Sequence, residues 1–552
     1  MKEKLKIGII LRSLNSPAWV SDLIRQIKSS ELMELNLIIV KAGRSVEKDE
    51  FSFSASRLFK ILLKSYLTIE NILVPVKQNF AEVINIGMQV KNIKTINLSG
   101  VLTNDQLKEI AALNLDVLLS VDRDQVPGEL KDLFNIGVVY NKISIPRGSI
   151  NLPVEWFVIN NQACIEAKLI LEETNTNTPK KLSQLFFAPD SFFVNRVESQ
   201  YLWKASLITM RGLITICNMK NHCAGEKLNL EPVENNLTND IPGLSTFKVI
   251  KHFLFYLKKS IEKKINIIQW IILYRENSAK PEAIENYKKI YPPIKNFWAD
   301  PHIVETDGCS YVFIEEYSYA NKKGHISVFE INKNGKPTLP VKILEKPYHL
   351  SYPFIFDYEG SYYMIPESAQ NGTVDIYKCT EFPFKWEFYK HIFVDISAVD
   401  STVLFYEGKW WMFLNKKVDN YISYKDELYL YYSDSPFSEK WISHPQNPVV
   451  TDVRSARSAG RIYKSNGNLI RPSQDCSVDY GYKLRLNKIV KMNEEEYRET
   501  EFEVIEPNYT KKVRGIHTLA KSDGYTVLDC KLKRFKFPEE FNLQLMLLSH
   551  IF

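Results

Sequence analysis

The sequence predicts a multidomain protein that joins an α/β domain with a parallel sheet to an all-β domain, a five-bladed β-propeller. Three observations lead to this prediction. The chain has 552 residues, enough for two to four domains at about 150 residues each. Strand-like and helix-like segments alternate up to residue 210. From residue 291 onward, one sequence unit recurs five times, which is typical of repeat architectures.

Composition excludes several classes of protein. With 45% hydrophobic and 25% charged residues, the chain is globular rather than disordered or fibrous. No run reaches the roughly 18 apolar residues of a membrane-spanning helix, and the first residues do not resemble a signal peptide. The seven cysteines form no CxxC pair, which favours reduced thiols, a cytoplasmic location and no metal site. We expect no cofactor, because no glycine-rich nucleotide motif is present.

The first predicted domain, 1–210, has the segment pattern of an α/β protein. Leu5–Leu11 and Leu35–Val40 are short apolar runs of the kind that form buried parallel strands. A helical pattern follows Pro17, and Thr103–Leu113 has helical spacing as well. Strands are also predicted at Val117–Val121 and Gly137–Tyr140. This alternation implies a parallel sheet with helices on both faces.

The second region, 211–290, is predicted to be a connector that contains a basic amphipathic helix. Residues 247–265 hold six Lys and one Glu, so they account for most of the net charge of +6. The rest of the chain is nearly neutral, which disfavours a nucleic-acid partner. Phe253, Leu254, Leu257 and Ile261 form an apolar stripe that could lie on an anionic membrane surface. The alternative is a helix whose stripe packs inside the protein.

The third region, 291–552, contains the repeat. Five segments align without gaps on Gly308, Gly360, Gly408, Gly467 and Gly524, and each glycine ends an Asp-Gly, Glu-Gly or Asn-Gly turn. Such dipeptides are typical of β-hairpins. Each turn is followed by a second strand-like segment, as in a propeller blade. A two-sheet sandwich would not explain the constant spacing before the glycine.

Equivalent positions in a propeller form rings around its central channel. Eight residues before the glycine stand Asp300, Tyr352, Asp400, Ala459 and Ile516, and seven residues after each glycine stands a polar residue. A hairpin brings these two positions to the same end of the blade. We therefore predict a carbohydrate site there, because paired carboxylates can act as acid and base on a sugar. The alternative is that these residues cap blade ends. The predicted catalytic residues are Asp300, Glu367 and Asp400, and the predicted substrate-binding residues are Glu315, Trp298, Tyr352, Asn415, Gln474, Asp475, His517 and Lys531.

The segments FWADPHIV, EGSYYMIPES, DSTVLFYEGKWWMF, GNLIRPSQDCS and GIHTLAKSDGYTVLD resemble the N-terminal domain of plant glucosamine inositolphosphorylceramide transferases over residues 290–535. The blade openings also look like those of furanosidase-type glycoside hydrolases. Tyr352 stands where those hydrolases often have Asp, which disfavours simple hydrolysis. The resemblance implies a propeller and an activity on glycans or glycolipids.

The stretch NIGVVYNKISIPRGSINLPVEWFVINN resembles a segment of the formyltransferase fold. On an alignment at Pro153 and Trp156, Val139 and Asn141 replace the family's catalytic Asn and His. Asn177 stands at the position of its catalytic Asp. The resemblance implies the fold but argues against formyl transfer, because no general base remains.

Two classes of function follow. The first is a glycosyl or related group transferase in surface polysaccharide or glycolipid synthesis, acting on a glycan or activated sugar and a lipid-linked acceptor, at the inner face of the membrane. The second is a non-catalytic glycan-binding or scaffold protein. A furanosidase-like hydrolase is a further alternative.

Overall fold

The computed structural model describes residues 3–41, 61, 63–68, 70, 79–98, 102–121, 126–143, 153–174, 176, 178–189, 192–221, 230–233, 245–277, 284–417, 423–507 and 513–536. The chain divides into two compact units, Met1–Leu257 and Lys258–Phe552. None of the described helices is both long and apolar enough to cross a bilayer.

The N-terminal unit is built on a seven-stranded sheet in the order β5-β3-β1-β6-β7-β8-β9. Its strands are β1 (Leu5–Leu11), β3 (Met33–Lys41), β5 (Lys94–Leu98), β6 (Val117–Ser120), β7 (Gly137–Ile143), β8 (Ile165–Glu173) and β9 (Lys180–Phe187), and β2 (Asn15–Pro17) pairs separately with β4 (Val83–Asn85). The strands from β5 to β7 are parallel, which confirms the predicted parallel sheet. The last two strands add an antiparallel extension that the sequence analysis did not predict.

The described helices of this unit begin with α1 (Ala18–Ser29), whose buried side chains include Leu23, Ile24 and Ile27 at helical spacing. The others are α2 (Asn104–Ala111), α3 (Gly128–Lys131), α4 (Pro153–Ile159), α5 (Val194–Asn221) and α6 (Thr246–Ile265), which continues into the second unit. Val139 is buried in β7, and the Asn141 side chain donates a hydrogen bond to Thr209 of α5. Asn177 lies outside the described residues.

The second unit is a five-bladed propeller, as predicted. Blade one contains β12 (Asn296–Thr306), β13 (Cys309–Ser318), β14 (Lys323–Ile331) and β15 (Val341–Leu344), and blade two contains β16 (Ser351–Tyr358), β17 (Ser361–Ser368), β18 (Thr373–Glu381) and β19 (Lys385–Val394). Blade three contains β20 (Ala398–Tyr406), β21 (Lys409–Lys416), β22 (Tyr429–Ser433) and β23 (Ile442–Ser443). Blade four contains β24 (Arg457–Ser458), β25 (Tyr463–Ser465), β26 (Asn468–Asp475), β27 (Lys483–Met492) and β28 (Tyr497–Ile505).

Blade five is assembled from both ends of this unit. Strand β10 (Asn266–Glu276) pairs antiparallel along its whole length with β31 (Tyr525–Phe535), from Asn266 opposite Phe535 to Glu276 opposite Tyr525. The sheet is completed by β11 (Lys288–Ile290), β29 (Val513–Gly515) and β30 (Leu519–Lys521). Two of these strands, β10 and β11, lie inside the range 211–290 that was predicted as connector. The isolated segment gave no sign that it pairs with the far end of the chain.

The hairpin turns follow from their dipeptides. In the first four repeats the glycine has φ between 73° and 77°, and the residue before it also has positive φ, between 48° and 53°. Two consecutive positive φ values define a type I′ turn, whose twist matches that of paired strands. Between the blades, apolar side chains from neighbouring sheets pack together. In one such cluster, Phe354 and Phe356 of blade two lie with Trp410 and Met412 of blade three.

Candidate active site in the propeller

The first position of the repeat is a β-bulge in three blades. Pairing along the hairpin shifts register between Ala299 and His302, between Ser351 and Phe354, and between Val399 and Thr402. The residues inside these bulges are Asp300, Tyr352 and Asp400, and their φ angles are 51°, 43° and 51°. A non-glycine residue in this conformation costs about 1–2 kcal/mol. Bulges re-aim side chains next to functional sites, and this one recurs at the predicted catalytic position.

Four carboxyl groups from the first three blades lie within electrostatic range of one another. Glu315, whose side chain is 7% exposed, is influenced by Asp300, Glu367 and Asp400. Burial is the main cause that raises the pKa of Glu315 well above its usual range, and the neighbouring acids reinforce it. Burial likewise raises the pKa of Glu367 well above normal, and a hydrogen bond to Asp400 adds to the effect.

Arg457 of blade four supplies the positive charge of this cluster. Its Nε atom lies 2.7 Å from Asp400 Oδ2, and its Nη2 atom lies 3.8 Å from Glu367 Oε2. The Nε–H is not aligned with the Asp400 oxygen, so the contact is an ion pair and not a hydrogen bond. The guanidinium group also lies 5.2 Å from the centre of the Tyr480 ring. Glu367 therefore favours its neutral form beside an Asp400 that is paired with a cation.

Asp300 belongs to a second group, formed with His517 and Asp529 of blade five. Thr518 Oγ1 donates a 2.9 Å hydrogen bond to Asp300 Oδ1, and His517 Nε2 lies 3.4 Å from the same oxygen. Burial raises the pKa of Asp300 to about 6, opposed by His517 and supported by Asp400 and Asp529. Asp300 can therefore exchange a proton near neutral pH.

Asp529 organises this second group. Its carboxylate accepts hydrogen bonds from the backbone N–H groups of Asp300, His517 and Thr518, at 2.9, 3.1 and 2.9 Å. His517 Nδ1 lies 2.6 Å from Asp529 Oδ2. Burial disfavours the imidazolium form, but Asp529 and Asp300 outweigh it and raise the pKa of His517. The imidazole ring stacks on Trp270, with ring centroids 3.9 Å apart.

The same three side chains could in principle hold a metal ion, because one ligand atom of each of Asp300, His517 and Asp529 lies within 4.8 Å of the other two. However, both Asp529 oxygens already accept backbone N–H groups. A metal ion would have to compete with these hydrogen bonds, so the donor set fits a proton-sharing network better than a metal centre.

Tyr352 occupies the first position of the repeat in blade two. Its side chain is fully buried, and its hydroxyl shares a 2.8 Å hydrogen bond with Thr402 Oγ1. The hydroxyl also accepts a 2.9 Å hydrogen bond from the Gly460 N–H. Burial raises its pKa far above the usual value, so the phenol stays neutral. Tyr352 therefore links blade two to blades three and four through its hydroxyl. An aspartate at this position would add another negative charge to the cluster.

Several other predicted residues serve the blades themselves. Trp298 is packed in the apolar cluster of blades five and one. The buried Asn415 side chain bonds Glu427 O, Ala456 O and Ser458 N. Gln474 donates to Ser458 O, and Asp475 accepts from Ser477 and Arg485. The bonds of Asn415 and Gln474 satisfy backbone groups, as the alternative of blade-end capping predicts, whereas these two bonds of Asp475 join side chains. Glu316, the residue after Glu315, is held by Asn296, Ser327 and His325.

Lys531 lies closer to the site. Its ammonium group donates to Asp479 Oδ2 and Tyr480 O at 2.7 and 2.6 Å, and it lies 5.7 Å from the Trp270 ring centre. These contacts hold the loop that carries Tyr480. The structure thus brings Asp300, Glu315, Glu367, Asp400 and His517 together, and their roles in substrate turnover stay predictions.

The sequence analysis missed Arg457, Tyr480, Trp270 and Asp529. Of these four residues, only Asp529 could have been noticed in the sequence. It stands five residues after Gly524, where the other repeats have Phe313, Ile365, Phe413 and Pro472. An acid at an apolar strand position is either a mistake in the alignment or a residue with a buried partner.

Residues 286–523 match a protein family described as glucosamine inositolphosphorylceramide transferase 1, N-terminal. The chain is 37% identical over 212 residues to the rice (Oryza sativa subsp. japonica) protein of that name, covering 38% of this chain and 28% of the rice protein. The Arabidopsis thaliana protein is 35% identical over 209 residues, 37% of this chain and 27% of its own length. The chain thus matches little more than a quarter of these relatives. The resemblance of the C-terminal region to this family is confirmed.

Solved structures give weaker likenesses. A family 117 glycoside hydrolase, Zg3597 from Zobellia galactanivorans, has a TM-score of 0.32 and 12% identity, covering 48% of this chain and 90% of its own. A formyltetrahydrofolate deformylase from Pseudomonas putida has a TM-score of 0.26 and 9% identity, covering 39% of this chain and 65% of its own. At such TM-scores no conclusion about function follows from either protein.

Proposed function

We propose that this protein is a glycosyl or related group transferase in glycolipid or surface polysaccharide synthesis, with its active site at the carboxylate cluster of the propeller. The observation that carries the proposal is the set of four neighbouring carboxyl groups from three blades, two of which, Asp400 and Glu367, lie beside Arg457. Residues 286–523 match a family named for a transferase, which supports this class of reaction.

The electrostatics suggest separate roles for the acids. Environments that push the pKa values of neighbouring acids apart are a mark of acid–base sites. Glu367, whose pKa burial raises well above its usual range, can give its proton to the leaving group of an activated sugar. Asp300, with a pKa of about 6, can accept the proton of an acceptor hydroxyl. Asp400, paired with Arg457, can stabilise positive charge that develops on the sugar.

Two observations favour transfer over the alternatives. The buried Tyr352 occupies one ring position with a neutral group, whereas hydrolases of the resembled type often have Asp there. A glycan-binding protein would present an exposed aromatic platform. Here Trp298, Trp410 and Trp411 are at most 9% exposed and pack between blades.

The test is an assay of purified protein with a panel of nucleotide sugars and lipid-linked acceptors. Asp300→Asn, Glu367→Gln and Asp400→Asn should each lower turnover by about 10²–10⁴-fold, the usual contribution of an acid or base. Asp357→Asn is the matched control, because this carboxylate is exposed on the same propeller. Folding is checked by circular dichroism. Full activity in all three folded variants would refute the site, and glycan binding without turnover would favour the binding protein.

We also propose that helix α6 binds an anionic membrane surface, where a lipid-linked acceptor would be located. Its apolar stripe is exposed, with 44% at Phe253, 59% at Leu254, 40% at Leu257 and 58% at Ile261, whereas Phe255 and Tyr256 on another side pack against Phe192 and Phe193. Of the apolar residues in α6, Val249 alone is buried. This supports the membrane interpretation over a packed stripe, because exposed apolar residues flanked by lysines suit a lipid interface. The six described cysteines are free thiols, which supports a cytoplasmic site.

The membrane contact is tested by co-sedimentation with vesicles. Binding should require anionic lipid and weaken as salt is raised. Charge reversal at Lys258, Lys259, Lys263 and Lys264 should abolish it, whereas reversal at Lys322, Lys333, Lys336 and Lys464, which are exposed on the propeller, should not. No sedimentation at low salt, or equal loss in both variants, would refute the contact.

A further inference from the structure

A positive charge without a counter-charge lies in blade four, between β24 and β25. Arg461 follows Gly460, two residues beyond the first repeat position. Its Nη2 atom donates to the backbone oxygen of Ile355, and its guanidinium group lies 5.2 Å from the Phe354 ring centre. Among the described residues it has no ion pair with a carboxylate. The one group that favours its charge is the phenol of Tyr352, which stays neutral.

This arrangement is energetically unusual. Burial lowers the pKa of Arg461, but a guanidinium group stays charged in proteins. A buried charge without a partner is costly, and charges removed from water are normally paired. Other buried arginines of this propeller follow the rule, since Arg457 pairs with Asp400 and Arg471 with Glu499. Protein atoms surround much of the Arg461 side chain, but part of its surface stays accessible, so its charge is not fully removed from water and a small solute can reach it.

A second polar group lies beside Arg461. His302 occupies the equivalent repeat position of blade one and is 3% exposed, and its Nε2 atom has no hydrogen-bond partner. The imidazole ring packs against Tyr352 and Phe354, with centroids 5.0 and 5.3 Å away. Burial, and then the charge of Arg461, lower the pKa of His302 to about 3. An anion placed between the two side chains would oppose this lowering, because its negative charge favours the protonated imidazole.

We propose that Arg461 and His302 form a binding site for a small oxyanion of the phosphate class, distinct from the carboxylate cluster. A guanidinium group matches the oxygens of such an anion with two parallel hydrogen bonds. The buried imidazole nitrogen offers a further donor once the anion is present. The aromatic walls formed by Tyr352 and Phe354 limit the site to a small ion or to the end of a phosphorylated molecule.

The carboxylates do not compensate the charge of Arg461. Asp300 and Asp400 both influence His517 and Tyr480, and Asp400 also influences Arg457, but neither acts on the charge of Arg461. The site is therefore separate from the proposed acid–base chemistry, and Tyr352 stands between the two. The anion could be free phosphate or the phosphate of a lipid headgroup, since both present the same oxygens.

The experiment is calorimetric titration of the full chain, purified without phosphate, with inorganic phosphate and separately with glycerol 3-phosphate. We expect binding that Arg461→Gln weakens at least tenfold. Arg498→Gln, which changes an exposed arginine on the outer strand of the same blade, should leave it unchanged. Tighter binding of glycerol 3-phosphate would indicate a headgroup, and tighter binding of inorganic phosphate would indicate the free ion. Either order supports the site.

A second measurement keeps the proposal testable if Arg461→Gln folds poorly. In NMR titrations of the histidine ring protons, the His302 resonance, assigned with His302→Asn, should shift when phosphate is added to the wild-type chain. An absence of phosphate binding, equal binding by Arg461→Gln, or an unmoved His302 signal would overturn the proposal. Transferase activity is not read in either measurement, so this result is independent of the proposed function.

Discussion

Asp529→Asn should strongly destabilise the propeller, although the substitution replaces a single oxygen. Asp529 is fully buried and accepts three backbone N–H groups, two on Oδ1 and one on Oδ2. His517 Nδ1 also lies beside Oδ2. An asparagine can keep the two bonds to its oxygen, but its NH₂ group then faces the Asp300 N–H and the imidazole. Two interactions with a charged acceptor are lost, each worth about 1.5–3 kcal/mol.

The expected loss in the free energy of unfolding is therefore about 3–5 kcal/mol, the range seen when one partner of a buried charged pair is removed. It is measured by urea denaturation of the full chain followed by tryptophan fluorescence. Trp270 stacks on His517 and so reports on the region next to Asp529. Asp523→Asn, at an exposed turn of the same blade, should change stability by less than about 0.5 kcal/mol. A loss below about 1 kcal/mol for Asp529→Asn would show that its carboxylate does not organise the site.

Three further predictions concern Tyr352, Asp300 and the N-terminal unit. Tyr352→Phe removes the acceptor of the Gly460 N–H and should cost about 1–3 kcal/mol in urea denaturation, whereas Tyr362→Phe, on the next strand, should be nearly neutral. Transferase activity should fall on acidification with an apparent pKa of about 6, as Asp300 becomes protonated. Thr518→Val deletes a hydrogen bond that lowers this pKa, so the acidic limb of the pH–activity profile should move to higher pH; an unmoved limb would exclude Asp300 as its cause. Incubation with a formylfolate donor and an amino sugar should give no formylated product, because Val139 and Asn141 replace reactive residues, and product formation would contradict the alignment.

Local chemistry made the propeller predictable. The Asp-Gly, Glu-Gly and Asn-Gly dipeptides determine the first four hairpins, since both residues adopt positive φ there. The fifth turn, Asp523-Gly524, has no positive φ in either residue, although its strands pair as expected. Equivalence within the repeat then brought Asp300, Glu367 and Asp400 to one end.

The rest of the site depends on contacts between distant segments. Arg457 is recognisable as part of the cluster only once the propeller closes, because blade four then adjoins blade three and its arginine comes near Glu367 of blade two. The alternation of side chains along a strand also does not show which polar residue faces the channel. Asn415 and Glu367 occupy equivalent positions in the repeat. The Asn415 side chain forms hydrogen bonds with nearby backbone groups, whereas the Glu367 side chain lies near other acids. The difference depends on which backbone N–H and C=O groups of the next blade still lack a hydrogen-bond partner.

The pairing of β10 with β31 has a consequence for the order in which the protein can fold. During synthesis β10 leaves the ribosome first, and its partner follows only after the other four blades have been made. Until then β10 can pair with β11 along one edge only, and its other edge keeps free backbone groups that can pair wrongly. Closing so long a loop is also slow, because its entropy is lost before any contact forms. The propeller should therefore mature late and in a single closing step, and a fragment that starts at residue 286, where the family match begins, would leave β31 as a permanent open edge.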